Sequence, residues 1–217
     1  MKSIKKTLIR KSFAAGVIIG MAGFAYLSVD GGTLGAFLFS VGLLSILAFS
    51  LPLYTGRICF LPDNLKSSNI ISLAVVLIMN LLGAFCTALI AAVARPTILR
   101  YASSLAVAKI QKPAQNTFFS SVFCGALICV AVYAYNMMNE KAAASIIVIL
   151  AVMAFILTGS EHCIADMFLC PVVVYPKEKI AKIAKLIKES ESEISKQKVF
   201  ESIDDMFADM GINIDNV

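Results

Sequence analysis

One histidine, no C-x-x-C pair and few charges are the scarcities that narrow this sequence. Its six cysteines, Cys59, Cys86, Cys124, Cys129, Cys163 and Cys170, never fall at the C-x-x-C spacing of a zinc or dithiol redox site. They lie in or beside apolar segments and read as small packing residues. With His162 as the sole imidazole, the sequence calls for no metal and no cofactor. Charged residues make up 15% of the 217, against 59% hydrophobic, with a mean hydropathy of +0.85. A soluble domain must keep a polar exterior, so this balance points to an integral membrane protein lying in a lipid bilayer. The net charge of +5 is spread over loops and ends, which speaks to topology and not to nucleic acid.

Hydropathy divides the chain into an apolar, membrane-embedded part, residues 1–176, and a polar tail, residues 177–217. The basic start (Lys2, Lys5, Lys6, Arg10, Lys11) runs into an apolar stretch with no small-residue cleavage site, so it reads as a cytoplasmic flank and not a cleaved leader. Spans are expected at Ser12–Val29, Thr33–Phe60, Asn69–Ala94, Thr117–Met137 and Ala142–Tyr175. Gly16, Gly20 and Gly23 would let the first pack closely. The second is interrupted at residues 50–57, where Pro52 removes a backbone donor and Gly56 permits a bend; a plain proline kink is the alternative. The fifth, at 34 residues, exceeds the roughly 20 that cross a bilayer. Residues 95–115 read as a polar connection. The tail shows helical spacing and reads as a surface or solvated amphipathic helix.

The interruption of the fifth span carries the chemistry. Glu161, His162 and Asp166 follow Gly159-Ser160 with apolar residues on both sides. Ionisable groups at membrane depth are costly, so such a cluster is a functional-site hypothesis by default. Two interrupted segments in comparable places are the pattern of an inverted-repeat transporter, whose breaks meet near the midplane. The bland reading of His162 is a packed imidazole bonded to Glu161 or the backbone. Cys163 beside His162 suggests a nucleophile and base, but neighbours on a helix point about 100° apart, and no enzyme is expected.

Residues 159–168, Gly-Ser-Glu-His-Cys-Ile-Ala-Asp-Met-Phe, resemble the G-F-E-H-S-[IV]-A-N-M-F motif of the formate/nitrite transporter family. Residues 124–133, Cys-Gly-Ala-Leu-Ile-Cys-Val-Ala-Val-Tyr, resemble its C-N-x-L-V-C-L-A-V-W. Leu53-Tyr54-Thr55 falls where the family has L-F-T in the loop that breaks its second helix. The resemblance covers roughly residues 10–175 and implies an all-α, aquaporin-like inverted-repeat bundle with broken second and fifth helices, assembled as a homopentamer in the cell membrane. It implies passage of small monovalent anions of weak acids (formate, nitrite, hydrosulfide or similar), with His162 as the central protonatable group and Thr55 its partner across the pore. Glu161 and Asp166 flank that relay. Leu53, Tyr54, Phe39, Leu43, Ile128 and Phe155 fall at constriction positions, where ordinary helix packing is the alternative. Lys109 and Lys141 match vestibule lysines; Lys109 and Lys112 read equally well as solvated loop charges.

Three departures accompany the resemblance. Gly125 and Asp166 stand where the family has asparagine, and no sixth apolar span follows Tyr175. If Asp166 approaches the imidazole it would favour the charged ring. Five crossings from a cytoplasmic start would put the lysine-rich residues 177–188 outside unless residues 163–175 turn back. A non-conducting structural or regulatory subunit is the alternative function.

Overall fold

The computed structural model describes residues 2–60 and 66–174; the expectation for the tail lies outside them. Among the described residues the protein is entirely helical. In chain order these are α1 (Lys2–Ser28), α2 (Gly32–Ala48), α3 (Tyr54–Ile58), α4 (Ser67–Ala94), α5 (Ile98–Gln111), α6 (Ala114–Met137), α7 (Lys141–Leu157) and α8 (Cys163–Val174). Long stretches of α1, α4 and α6 are apolar enough to cross a membrane; α2 and α7 are shorter apolar helices of 17 residues. Side chains such as Ile90, Val93, Phe118, Phe119 and Phe123 are exposed on the outer faces of these helices, where a soluble protein would place polar groups.

Both interrupted segments are broken helices. The first break, residues 49–53, separates α2 from α3; the second, residues 158–162, separates α7 from α8. Proline is the cause expected for the first, and Pro52 does lie in it. The sharp turn falls elsewhere than expected: Ser50 takes the left-handed conformation (φ 50°), whereas Gly56 sits inside α3. At the second break Gly159 (φ 65°) supplies the left-handed residue that ends α7, with its N–H bonded to the Ile156 carbonyl.

Of the glycines expected to allow close packing, Gly16 and Gly20 do so between α1 and α4, while Gly23 faces Phe168 of α8. A Cβ at Gly16 would stand 2.1 Å from the Asn80 carbonyl oxygen, and one at Gly83 would stand 2.3 Å from that of Phe13. The two backbones therefore touch, as small residues permit inside a bilayer, where packing and not water expulsion joins helices. The second structural departure is α5. Residues 98–111, read as a connection, form a helix that buries Ile98, Leu99, Ala102 and Ala106. Its apolar positions recur at one and two turns among polar ones, a periodicity masked by Arg100 and Lys109.

Candidate functional site

The two breaks meet. Thr55, in the short helix after the first, places Oγ1 3.1 Å from Nε2 of His162, the last residue of the second. His162 is buried and caps α8: the Ala165 backbone N–H donates to its Nδ1 at 3.2 Å. That contact makes Nδ1 an acceptor, so the neutral ring carries its proton on Nε2 and donates it to the threonine hydroxyl. One face of the imidazole stacks on Phe155, with centroids 5.5 Å apart and planes 20° from parallel. Phe155 in turn meets Phe39 edge-on at 6.3 Å.

Two cavities flank this contact. One, of about 390 Å³, is lined by Leu43, Leu53, Arg57, Asn69, Ser72 and Asn136 among others. The second, of about 140 Å³, is lined by Tyr26, Phe39, Lys109, Phe155, His162 and Asp166 among others. Phe39 and Leu43 are one turn apart on α2, so the cavities reach the same helix face at successive levels. Phe39, Leu43, Leu53 and Phe155 are all buried: Leu43 and Leu53 line the larger cavity, Phe39 and Phe155 the smaller. Ile128 is also buried, but within the packing of α6 and lining neither cavity, and Tyr54 contributes chiefly its backbone.

The charges beside His162 form a network. Glu161 accepts hydrogen bonds from Lys109 and from Lys112, the latter at 2.9 Å. Lys109 also pairs with Asp166 at 2.9 Å, and Lys112 donates to the Gly159 carbonyl at 2.9 Å and to Ser120 Oγ at 3.0 Å. Asp166 therefore lies against a lysine. The two lysines and two carboxylates balance. Burial alone would lower the Lys109 pKa, but the charges of Asp166 and Glu161 outweigh it and raise the value. Lys141 sits apart from this network, capping the end of α6 through the Tyr135 and Met138 carbonyls at 2.6 and 3.1 Å.

Residues 1–192 match the family model described as formate/nitrite transporter. The chain belongs to the formate/nitrite transporter family. It is 27% identical over 153 residues to the uncharacterized transporter YrhG of Bacillus subtilis (strain 168), covering 65% of this chain and 58% of that one. It is 29% identical over 141 residues to the nitrite transporter NirC of Escherichia coli (strain K12), covering 60% and 52%. The chain thus matches little more than half the length of these relatives. Among solved structures it resembles a pentameric formate channel with formate bound, with a TM-score of 0.74 over 100% of this chain and 84% of that one. At 22% identity that likeness speaks to the fold, a membrane-embedded helical bundle.

Two features of this family member escaped the sequence reading. Asn80, fully buried on α4, donates Nδ2 hydrogens to the Ser12 carbonyl (2.7 Å) and the Pro52 carbonyl (3.1 Å) and accepts the Tyr54 N–H (2.8 Å) on Oδ1. One amide thereby fixes both ends of the turn that carries Leu53. An asparagine in the middle of an apolar span was itself the signal that would have found it. The second is a correction: Cys59 and Cys129 are not packing residues but a disulfide, joining residues 70 positions apart. No spacing rule reports a pair that distant. Of the others, Cys124 is buried while Cys86 and Cys163 are exposed.

Proposed function

We propose that the protein is a channel subunit that passes small monovalent weak-acid anions, such as formate, nitrite or hydrosulfide, and that His162 protonates the anion at the wall between the two cavities. The observation that carries this reading is the Thr55–His162 contact, which joins both helix breaks: His162 lines the smaller cavity, and Leu53 and Gly56 beside Thr55 line the larger. An anion entering that apolar wall must shed water at a cost of several kcal/mol, and protonation removes the charge that makes it costly.

The ring geometry sets the order of events. The neutral ring holds its proton on Nε2, so delivery requires a second proton at Nδ1, with release of the Ala165 N–H. The imidazolium then passes the Nε2 proton to the anion and is left neutral with its proton on Nδ1. Nε2 is now an acceptor. A threonine hydroxyl accepts from Nε2–H before transfer and donates to Nε2 afterwards, which valine, of the same shape, cannot do. Lys109 and Lys112 supply positive charge at the smaller cavity, tempered by Glu161 and Asp166. Following the pentameric formate channel, the subunit assembles as a pentamer, and its setting is the cell membrane.

The test is flux of formate, nitrite and hydrosulfide into liposomes as a function of pH, for wild type, His162→Ala and Thr55→Val. Flux that rises as pH falls, is lost in His162→Ala and is reduced about tenfold or more in Thr55→Val is expected, since proton transfer through a positioned group contributes roughly a hundredfold or more. Well-folded protein that passes none of the three anions would overturn the channel reading and favour a non-conducting subunit.

A further inference from the structure

Among the described residues, three groups of contacts hold the segment at 52–59. Asn80 grips the Pro52 carbonyl and the Tyr54 N–H, Thr55 meets His162, and the Cys59–Cys129 disulfide binds the far end to α6. The first two are hydrogen bonds, which open and reform without chemistry. The third is covalent. Cys59 is one turn beyond Thr55, and its Sγ lies 3.3 Å from the Thr55 carbonyl oxygen. Cys129 follows the buried Ile128 on α6. A movement that carried Leu53 and Thr55 away from the wall would have to drag Cys59, and the disulfide forbids that displacement while it is intact.

We propose that Cys59 and Cys129 form a reversible thiol–disulfide modification site, whose oxidised form straps the segment at 53–59 in its closed position and whose reduced form frees it. The reagent it would take is a small dithiol. A thiolate of the dithiol attacks one protein sulfur, breaking the Cys59–Cys129 bond and forming a mixed disulfide. The second thiol of the reagent displaces that sulfur, leaving the reagent as a cyclic disulfide. The protein has gained two electrons and two protons and holds two thiols. A small disulfide oxidant runs the exchange backwards. Access is provided by an open cavity of about 470 Å³ whose lining includes both cysteines with Phe60, Val130, Tyr133 and Ile147. Its walls are largely apolar, which suits an uncharged reagent.

The link to conduction rests on the channel reading; the strap itself does not. The experiment therefore reads both. Purified protein in liposomes is treated with dithiothreitol, and maleimide-reactive thiols, amide exchange of residues 50–60 and anion flux are measured. Reduction is expected to release two additional thiols per chain, to accelerate exchange in 50–60 about tenfold while α1 and α4 stay protected, and to raise flux several-fold. Cys59→Ala/Cys129→Ala is expected to match the reduced protein and to ignore dithiothreitol, while Cys86→Ala keeps the wild-type response. Should the double variant fail to fold, the reduced wild type carries the same comparison. Release of the thiols with unchanged exchange would overturn the strap, as would both thiols being free before reduction and resisting oxidation. Faster exchange with no flux in either state would uphold the strap and sink the channel reading instead.

Discussion

Asn80 offers the sharpest test of how the first break is held. Its carboxamide makes three hydrogen bonds inside the bundle, to the Ser12 and Pro52 carbonyls and from the Tyr54 N–H. Asn80→Ala removes all three, but their costs differ. The Ser12 carbonyl lies within α1 and keeps its helical partner, so its loss is minor. The Tyr54 N–H heads α3 and, like the Pro52 carbonyl, is left without a protein partner. Interhelical hydrogen bonds in membrane proteins average about 0.6 kcal/mol and reach about 1.7, because the unfolded chain in lipid also finds partners. Two such losses give a destabilisation of roughly 1–3 kcal/mol. Because the loss is local, exchange of the Tyr54 amide should accelerate about tenfold to a hundredfold, at 1.4 kcal/mol per factor of ten. The assays are thermal unfolding in detergent and residue-resolved amide exchange. Flux is a third readout: a loosened Leu53 should leak between the two cavities. Stability unchanged within about 0.5 kcal/mol together with unchanged Tyr54 exchange would refute the idea that Asn80 fixes the break.

Gly16→Ala should destabilise the bundle by about 1–3 kcal/mol despite alanine's better helix propensity, because the new Cβ meets the Asn80 backbone, which can yield only if α1 and α4 part. Thermal unfolding checks it, and a stabilised variant would mean that the helices separate freely. Asp166→Asn removes one of the two carboxylates on Lys109 and leaves the cluster with a net positive charge, so the KM for anion flux should fall several-fold with little change in maximal rate. Because its carboxylates hold the Lys109 pKa above the usual lysine value, that ammonium stays charged between about pH 5 and 8. That charge is lost only as pH rises through the raised value, so a pH dependence of flux in the lower window does not come from the Lys109 ammonium.

How far the sequence reveals this molecule depends on the range of each signal. Hydropathy located the long spans because a bilayer demands about 20 apolar residues of any helix that crosses it. The two breaks were legible as excess length with Pro52 or Gly159 inside, both local features. Where the bend falls was not: Ser50 and not Gly56 takes the left-handed turn, because the contacts of Asn80 with Pro52 and Tyr54 decide where the chain can leave the helix. The helix α5 was missed because half its surface is polar, and hydropathy averaged it away. His162 and Thr55 were paired only through the family motifs; nothing in either segment alone points to a partner 107 residues distant. The disulfide lies beyond any spacing argument for the same reason.

The aspartate at 166 changes what the smaller cavity can do. With Asp166 and Glu161 both engaged, Lys109 and Lys112 present no net charge, so an arriving anion gains from a lysine only by taking the place of a carboxylate on it. Glu161 accepts from both lysines, and Asp166 pairs with Lys109 at the lining of the cavity that His162 also lines. On the proposed channel function, the site would favour an anion that can compete with a carboxylate for an ammonium and still accept a proton from an imidazole one helical turn away. A small carboxylate meets both demands with the same pair of oxygens. Hydrosulfide has a single, weakly accepting sulfur and meets the first poorly. On this argument the rank order of flux at equal concentration is formate or nitrite above hydrosulfide, and Asp166→Asn should narrow the gap, since it removes the competitor.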